Sequence, residues 1–210
     1  MAYEAGPDRR LEFWFEFAST YSYLSVMRIE ALAASAGVEI VWRPFLLGPI
    51  FAAQGWTTSP FNIYPAKGRY MVRDIARIAS ARGLAFQMPK VFPANGLLAA
   101  RIAMCGEDGG WINDFTKGVF EAQFSRGEDI ADRAVLKGIL VALRLDPDEI
   151  LKSAATAEIK ARLKTNTDRA IALGIFGAPS LVAVDGELFW GDDRLEQALN
   201  WPPRAAPSVR

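Results

Sequence analysis

Ser19 and Thr20 are adjacent hydroxyls in the run Leu11-Glu-Phe-Trp-Phe-Glu-Phe-Ala-Ser-Thr-Tyr-Ser-Tyr-Leu24. They fall where the residue pattern changes its period. Leu11 to Phe17 is aromatic, with Glu12 and Glu16 on one side of a two-residue alternation, which predicts a buried strand. From Tyr21 onward, Leu24, Val26, Met27, Leu32 and Ala36 follow helical spacing. A strand that hands over to a helix leaves backbone N–H groups at the positive end of the helix dipole, where an anion or a thiolate is stabilised. The plain alternative is that Ser19 or Thr20 only caps the helix, and this stretch alone favours the cap.

What the chain lacks sharpens the choice. There are no histidines among the 210 residues. That removes Ser-His-Asp and Cys-His catalysis, histidine zinc sites and the usual general base near neutral pH. The single cysteine, Cys105, excludes an internal disulfide and a Cys-x-x-Cys redox pair. It lies in the apolar run Leu97 to Cys105 and reads as a small buried hydrophobe. No metal site is expected. A reactive group must then be a carboxylate, Lys, Tyr or hydroxyl, or must arrive with a cofactor. Lys+Arg and Asp+Glu balance at 24 each, so nothing points to nucleic acid or a membrane surface. The first ten residues hold no apolar run, and no segment approaches the ~20 apolar residues needed to span a bilayer. The expectation is a soluble cytoplasmic protein with one sizeable core or a domain carrying a large insertion.

The elements that must position the hydroxyls follow in order. A strand over 11–17 and a helix over 21–36, closed by Gly37, lead to a strand over 38–43, which makes a βαβ unit. Residues 45–66 hold three prolines, two glycines and several aromatics, and read as an apolar loop that covers a site. Phe45, Phe51, Trp56, Phe61 and Tyr64 could wall a flat substrate, although most of them read as core. Helices are predicted over 67–82, 97–105, 111–124, 133–143 and 157–173, with a short one opened by Asp146-Pro147. Ser180–Val184 and Glu187–Trp190 are predicted strands, joined at Asp185-Gly186 by a type I′ turn. A short helix, 194–201, closes the fold. Residues 1–10 and 202–210 read as disordered tails.

With the helical block set aside, the order is β-α-β-α-β-β-α, a mixed sheet of the thioredoxin type. The predicted class is therefore α/β, a thioredoxin-like fold with a large inserted all-helical domain. Residues 11–66 and 156–200 would form the thioredoxin-like domain, and 67–155 the insertion.

Within that layout Gly177-Ala-Pro-Ser180 resembles the cis-proline loop of the fold. Read locally, Pro179 is an ordinary trans proline entering a strand. A cis bond would present the N–H and C=O of Ala178 for pairing with a peptide. Five segments carry a wider resemblance: Phe15-Glu-Phe-Ala-Ser-Thr-Tyr-Ser-Tyr-Leu24, Lys67-Gly-Arg-Tyr-Met-Val-Arg-Asp74, Phe92-Pro-Ala-Asn95, Ile175-Phe-Gly-Ala-Pro-Ser180 and Phe189-Trp-Gly-Asp-Asp-Arg-Leu195. In these the chain resembles the DsbA-like superfamily branch that lacks the redox cysteines, the 2-hydroxychromene-2-carboxylate isomerases and kappa-class glutathione transferases.

The resemblance implies glutathione as cofactor, a chromene-type carboxylate as substrate, aromatic-compound degradation as setting, and a homodimer. It implies that Ser19 contacts the glutathione sulfur and that Ala178 and Pro179 hold the cysteinyl part. Asp192, Asp193 and Arg194 would hold the γ-glutamyl end, with Lys67 near a carboxylate. Pro49, Ile50, Asn62 and Asn95 would contact the aromatic substrate. Two departures stand out: Thr20 replaces the family's proline, leaving open which hydroxyl meets sulfur, and Asp192 replaces Asn or Ser. Asp192 or Asp193 also reads as an N-cap of the last helix. An external thiolate suits a protein without His or reactive Cys, since it can add reversibly to a conjugated ring and permit isomerisation. The alternatives are a kappa-like glutathione transferase and a non-catalytic thioredoxin-like binding protein.

Overall fold

The computed structural model describes residues 9–202. Four strands form one mixed sheet: β1 (Arg10–Phe15), β2 (Glu39–Pro44), β3 (Ser180–Ala183) and β4 (Leu188–Trp190), in spatial order β2-β1-β3-β4. β1 runs parallel to β2, from Arg10 opposite Glu39 to Phe15 opposite Pro44, and antiparallel to β3. β3 and β4 form the terminal antiparallel hairpin.

The aromatic run makes β1 the centre. A strand buried on both faces needs apolar residues at successive positions. Leu11, Phe13 and Phe15 enter one core with Trp42, Leu181 and Phe189, while Trp14 enters a second core with Phe45, Ile50 and Ile175. Each such side chain contributes roughly 1.5–3 kcal/mol by leaving water. Glu12 avoids the cost of burial by pairing with Arg43 and Arg169.

Among the described residues, eleven α-helices accompany the sheet: α1 (Thr20–Val26), α2 (Ile29–Ala36), α3 (Leu47–Ala53), α4 (Pro60–Ile63), α5 (Pro65–Ala81), α6 (Leu97–Gly109), α7 (Ile112–Phe120), α8 (Arg133–Ala142), α9 (Pro147–Ala154), α10 (Ala157–Ala172) and α11 (Leu195–Leu199). A π-helical turn, Glu121–Ser125, extends α7, and a 3-10 turn, Asp192–Arg194, precedes α11. Ser19, Asp132, Asp146 and Thr156 cap their helices through side-chain oxygens, as their residue types dictate.

Four expectations change. The helix over 21–36 is two helices that break at Met27–Arg28, where the Arg28 guanidinium reaches across to Asp192 and Glu196. The segment 45–66 is not a plain loop, because Pro60 and Pro65 each open a helix in the first-turn position that proline tolerates. Asp185 lacks the positive φ that a type I′ turn requires. Gly186 (φ 87°) alone is left-handed, beyond an N–H···O bond from Gly186 to Ala183, which makes the turn type I-like with a glycine bulge. Arg9 and Arg10 are also ordered, Arg10 in β1 and Arg9 donating to Ala36 and Leu199 carbonyls. The remaining tail positions 1–8 and 203–210 lie outside the described residues.

Candidate functional site

Phe15 ends β1 beneath a tight turn built by the next residue. The Glu16 carbonyl accepts the Ser19 N–H at 2.9 Å, and the Glu16 carboxylate accepts the Ala18 N–H at 3.0 Å. The turn leaves Ser19 extended (φ −83°, ψ 114°), as an N-cap must be. Its Oγ accepts the Ser22 N–H at 3.1 Å and donates to the Ala178 carbonyl at 2.8 Å. One half-exposed hydroxyl therefore ties the helix start to the loop before β3.

That loop carries a cis peptide bond between Ala178 and Pro179. Pro179 is buried, and its carbonyl accepts the Gly191 N–H, which fixes it to the outgoing chain. Ala178 stays partly exposed. Phe176 and Trp190 pack at 4.9 Å beside it, each about half exposed (48% and 50%). Gly177 lets the ring lie close: a Cβ on it would come within 2.4 Å of the Trp190 indole nitrogen and displace the side chain.

Thr20 does not share this role. It is buried, and its hydroxyl lies 3.3 Å from the Met71 sulfur of α5. The next residue also reaches α5, with Tyr21 donating to Asp74 at 3.0 Å. Burial and the Asp74 carboxylate push the Tyr21 phenol above its ordinary value, so it stays a neutral donor.

Asp192 is placed differently from the sequence expectation. It is 3% exposed and caps no helix; the 3-10 turn starts from Gly191 (φ 109°) without a side-chain cap. Its carboxylate accepts from Ser25 at 3.0 Å, from Arg28 at 3.2 Å and from Arg82 at 2.7 and 3.1 Å. A buried carboxylate needs such partners. Both oxygens already accept protein donors, Oδ1 three of them and Oδ2 one. Asp193 and Arg194 are exposed and meet only weakly, at 3.6 Å.

The remaining predicted residues divide. Lys67 is exposed, 5.8 Å over the Phe61 ring, one turn of α5 before Met71. Asn62 is exposed and donates to Thr58, and Pro49 is exposed at the start of α3. Ile50 instead packs with Trp14 and Phe45 in the second core, because the first turn of α3 points it at the sheet. Asn95 accepts the Leu97 N–H at 3.1 Å, and its neighbour Gly96 lies on Phe17 and Glu16, so this loop abuts the Ser19 turn. Of the aromatic wall, Phe45 is core, Phe51 and Trp56 pack on each other at 5.6 Å, and Tyr64 is 53% exposed.

Glu16 was missed as a site residue. No basic partner faces it among the described residues, and burial raises its carboxyl to about 7 against the pull of the Ala18 N–H. An acid directly after an aromatic strand, three residues before the cap, was the available signal. Burial also pushes the Cys105 thiol up, which leaves it a poor nucleophile. Among the described residues no three His, Cys, Asp or Glu gather to hold a metal, and no helix is long and apolar enough to cross a membrane.

The geometry offers a hydroxyl, the opening N–H groups of a helix and a partly exposed backbone unit at one junction. Those are the parts that suit an anionic sulfur on a peptide. Comparison with known proteins agrees on the scaffold. Residues 10–200 match the model of the DSBA-like thioredoxin domain. Kappa 2 glutathione S-transferase of Caenorhabditis elegans is 27% identical, over 93% of this chain and 92% of that protein. The 2-hydroxychromene-2-carboxylate isomerase of Pseudomonas putida is 30% identical, over 88% and 90%. A solved 2-hydroxychromene-2-carboxylate isomerase superposes with a TM-score of 0.80 at 23% identity, over 90% of this chain and 91% of that one.

Proposed function

The chain belongs to the DsbA-like thioredoxin domain family, in the branch of the 2-hydroxychromene-2-carboxylate isomerases and kappa glutathione transferases, and on that footing we propose a glutathione-dependent isomerase of the 2-hydroxychromene-2-carboxylate type, working in aromatic-compound degradation. One observation carries the reading. The Ser19 hydroxyl sits on the Ala178 carbonyl at 2.8 Å, in a chain with no histidine and no redox pair of cysteines.

Glutathione, when bound, supplies a thiolate that adds reversibly to the conjugated ring of the substrate. The residues present fit it. The Ala178 backbone flanks the cis bond where the cysteinyl unit would pair, and a ligand N–H donated to the Ala178 carbonyl frees the Ser19 O–H to turn. Ser19 then donates to sulfur while still accepting the Ser22 N–H, so the helix cap survives. The hydroxyl and the helix start together stabilise the anion. Thr20, facing Met71, has no part in this. Asp193 and Arg194 offer an opposite-charge pair to the γ-glutamyl end, and Lys67 offers a cation to a carboxylate. Asn62, Asn95 and Pro49 remain for the substrate, and a cytoplasmic homodimer completes the reading.

Thermal stability with and without glutathione tests it. A ligand at ~100 times its Kd adds about 2.7 kcal/mol, so a flat melting temperature at saturating glutathione counts against the proposal. The kinship with a kappa transferase keeps one second reading in play, conjugation of glutathione to electrophiles. Conjugation without isomerisation selects it. A non-catalytic thioredoxin-like binder would hold a peptide or hydrophobic ligand and catalyse neither reaction.

A further inference from the structure

Phe176 and Trp190 leave about half of their surface in water, yet their rings pack on each other at 4.9 Å. Among the described residues they are the one pair of exposed aromatic rings in contact. Single exposed apolar side chains are ordinary, whereas large ones left side by side mark a surface that binds something.

The fold fixes this pair from both sides of the cis-proline loop. Trp190 lies opposite Ser180 in the β3–β4 ladder, and the Gly191 N–H donates to the Pro179 carbonyl at 2.9 Å, which ties the end of β4 to the loop. The indole rests on Gly177, and its N–H donates to nothing among the described residues, so packing alone sets the ring. Phe176 is two residues, at most ~7 Å of extended backbone, from Ala178, whose carbonyl takes the Ser19 hydroxyl. The side of the loop is fixed as well. Leu188 and Trp190 share one face of β4 by alternation. Leu188, Ala178 and Ile50 all pack on the second core, so the rings stand on the flank of Ala178 that faces α3, the helix that also carries exposed Pro49.

We propose that Phe176 and Trp190 form the shelf on which the flat, conjugated ring of the substrate stacks, beside the thiol held between Ser19 and Ala178. The inference rests on the function proposed above and gives its substrate-ring contact to two residues outside the 45–66 segment. A preformed, uncharged aromatic surface suits a planar ring, which gains more from stacking than a saturated ring of the same size.

Calorimetric binding tests this without turnover. The probes are 2-naphthoate, its saturated decahydro counterpart and glutathione. Wild type should prefer the aromatic acid over the saturated one about 3- to 10-fold. Trp190→Leu and Phe176→Leu should each reduce that preference, while glutathione affinity stays within about 2-fold; Trp190→Phe, which keeps a ring, should retain part of it. The proposal fails if wild type shows no preference, or if the preference survives both leucine variants. It fails equally if naphthoate and glutathione weaken together, which would make the rings mere props for the loop. Loss of self-association on a sizing column, with naphthoate binding intact, would assign the pair to a second copy of the chain and also overturn it. Should one leucine variant not fold, the other and Trp190→Phe decide. Naphthoate held on these rings by a protein that binds no glutathione sinks the proposed function and leaves this inference standing; glutathione binding without the ring preference does the reverse.

Discussion

Ser19 and Ala178 are 159 residues apart in sequence and 2.8 Å apart in space, hydroxyl to carbonyl. The contact joins the start of α1 to the cis-proline loop, and the same oxygen caps the helix. Ser19→Ala therefore removes two things. The lost cap lowers stability by about 1 kcal/mol. The lost donor lowers catalysis roughly 10²-fold, as for removal of one donor to a developing anion. Titrating the bound glutathione thiol by its ultraviolet absorbance should show a raised pKa in the variant. An unchanged titration would take Ser19 out of the chemistry.

Thr20→Val is the contrasting variant. The hydroxyl faces only the Met71 sulfur, so its removal costs about 1 kcal/mol or less and leaves turnover close to wild type. A catalytic loss comparable to that of Ser19→Ala, measured in the same assay, would show that the second hydroxyl serves the thiol after all.

Asp192→Asn should be the most damaging of the acidic substitutions. It leaves Arg82 beside a neutral group and Arg28 with Glu196 as its one charged partner, the two side chains being 30% and 19% exposed. Removing one member of a buried pair costs about 3–5 kcal/mol, and partial exposure of the arginines places this case at roughly 3 kcal/mol. Urea unfolding measures it. Asp193→Asn, at a side chain 74% exposed, should leave the unfolding midpoint alone and weaken glutathione binding instead.

Glu16 predicts a pH dependence. Its carboxyl is raised by burial from 4.5 to about 7 in the fold, so between those values the folded protein holds a proton that the unfolded chain has lost. Stability contributed at this position is present below about pH 4.5 and declines as the pH rises toward 7. The full loss is about 3 kcal/mol, since each pH unit between 4.5 and about 7 is worth ~1.4 kcal/mol. Glu16→Gln keeps an acceptor for the Ala18 N–H and should abolish the decline. Melting temperatures of both proteins across the window check this; parallel curves would refute it.

The sheet and its central serine were legible because they rest on short-range pattern. Period-2 aromatics and a hydroxyl at a change of period each carry their physics within a few residues, whereas Pro179 reads locally as trans and its cis bond follows only from the layout of the fold. What escaped was set at long range. No local signal says that Arg28 will break a helix to reach a carboxylate 164 positions away, or that Asp192 will be buried under two arginines. Ile50 reads as a binding-loop residue until α3 turns it into the second core. Thr20 and Ser19 look equivalent in sequence; only the approach of α5 separates them.

The grip on Asp192 has a consequence for how this protein could diverge. A single acid fastens the α1–α2 break and the end of α5, and the exposed pair beside it is hung from that fastening. Descendants of this gene could rewrite Asp193 and Arg194 to suit new small molecules, while position 192 stays barred to most replacements. Novelty at this corner would arise one residue away from its anchor.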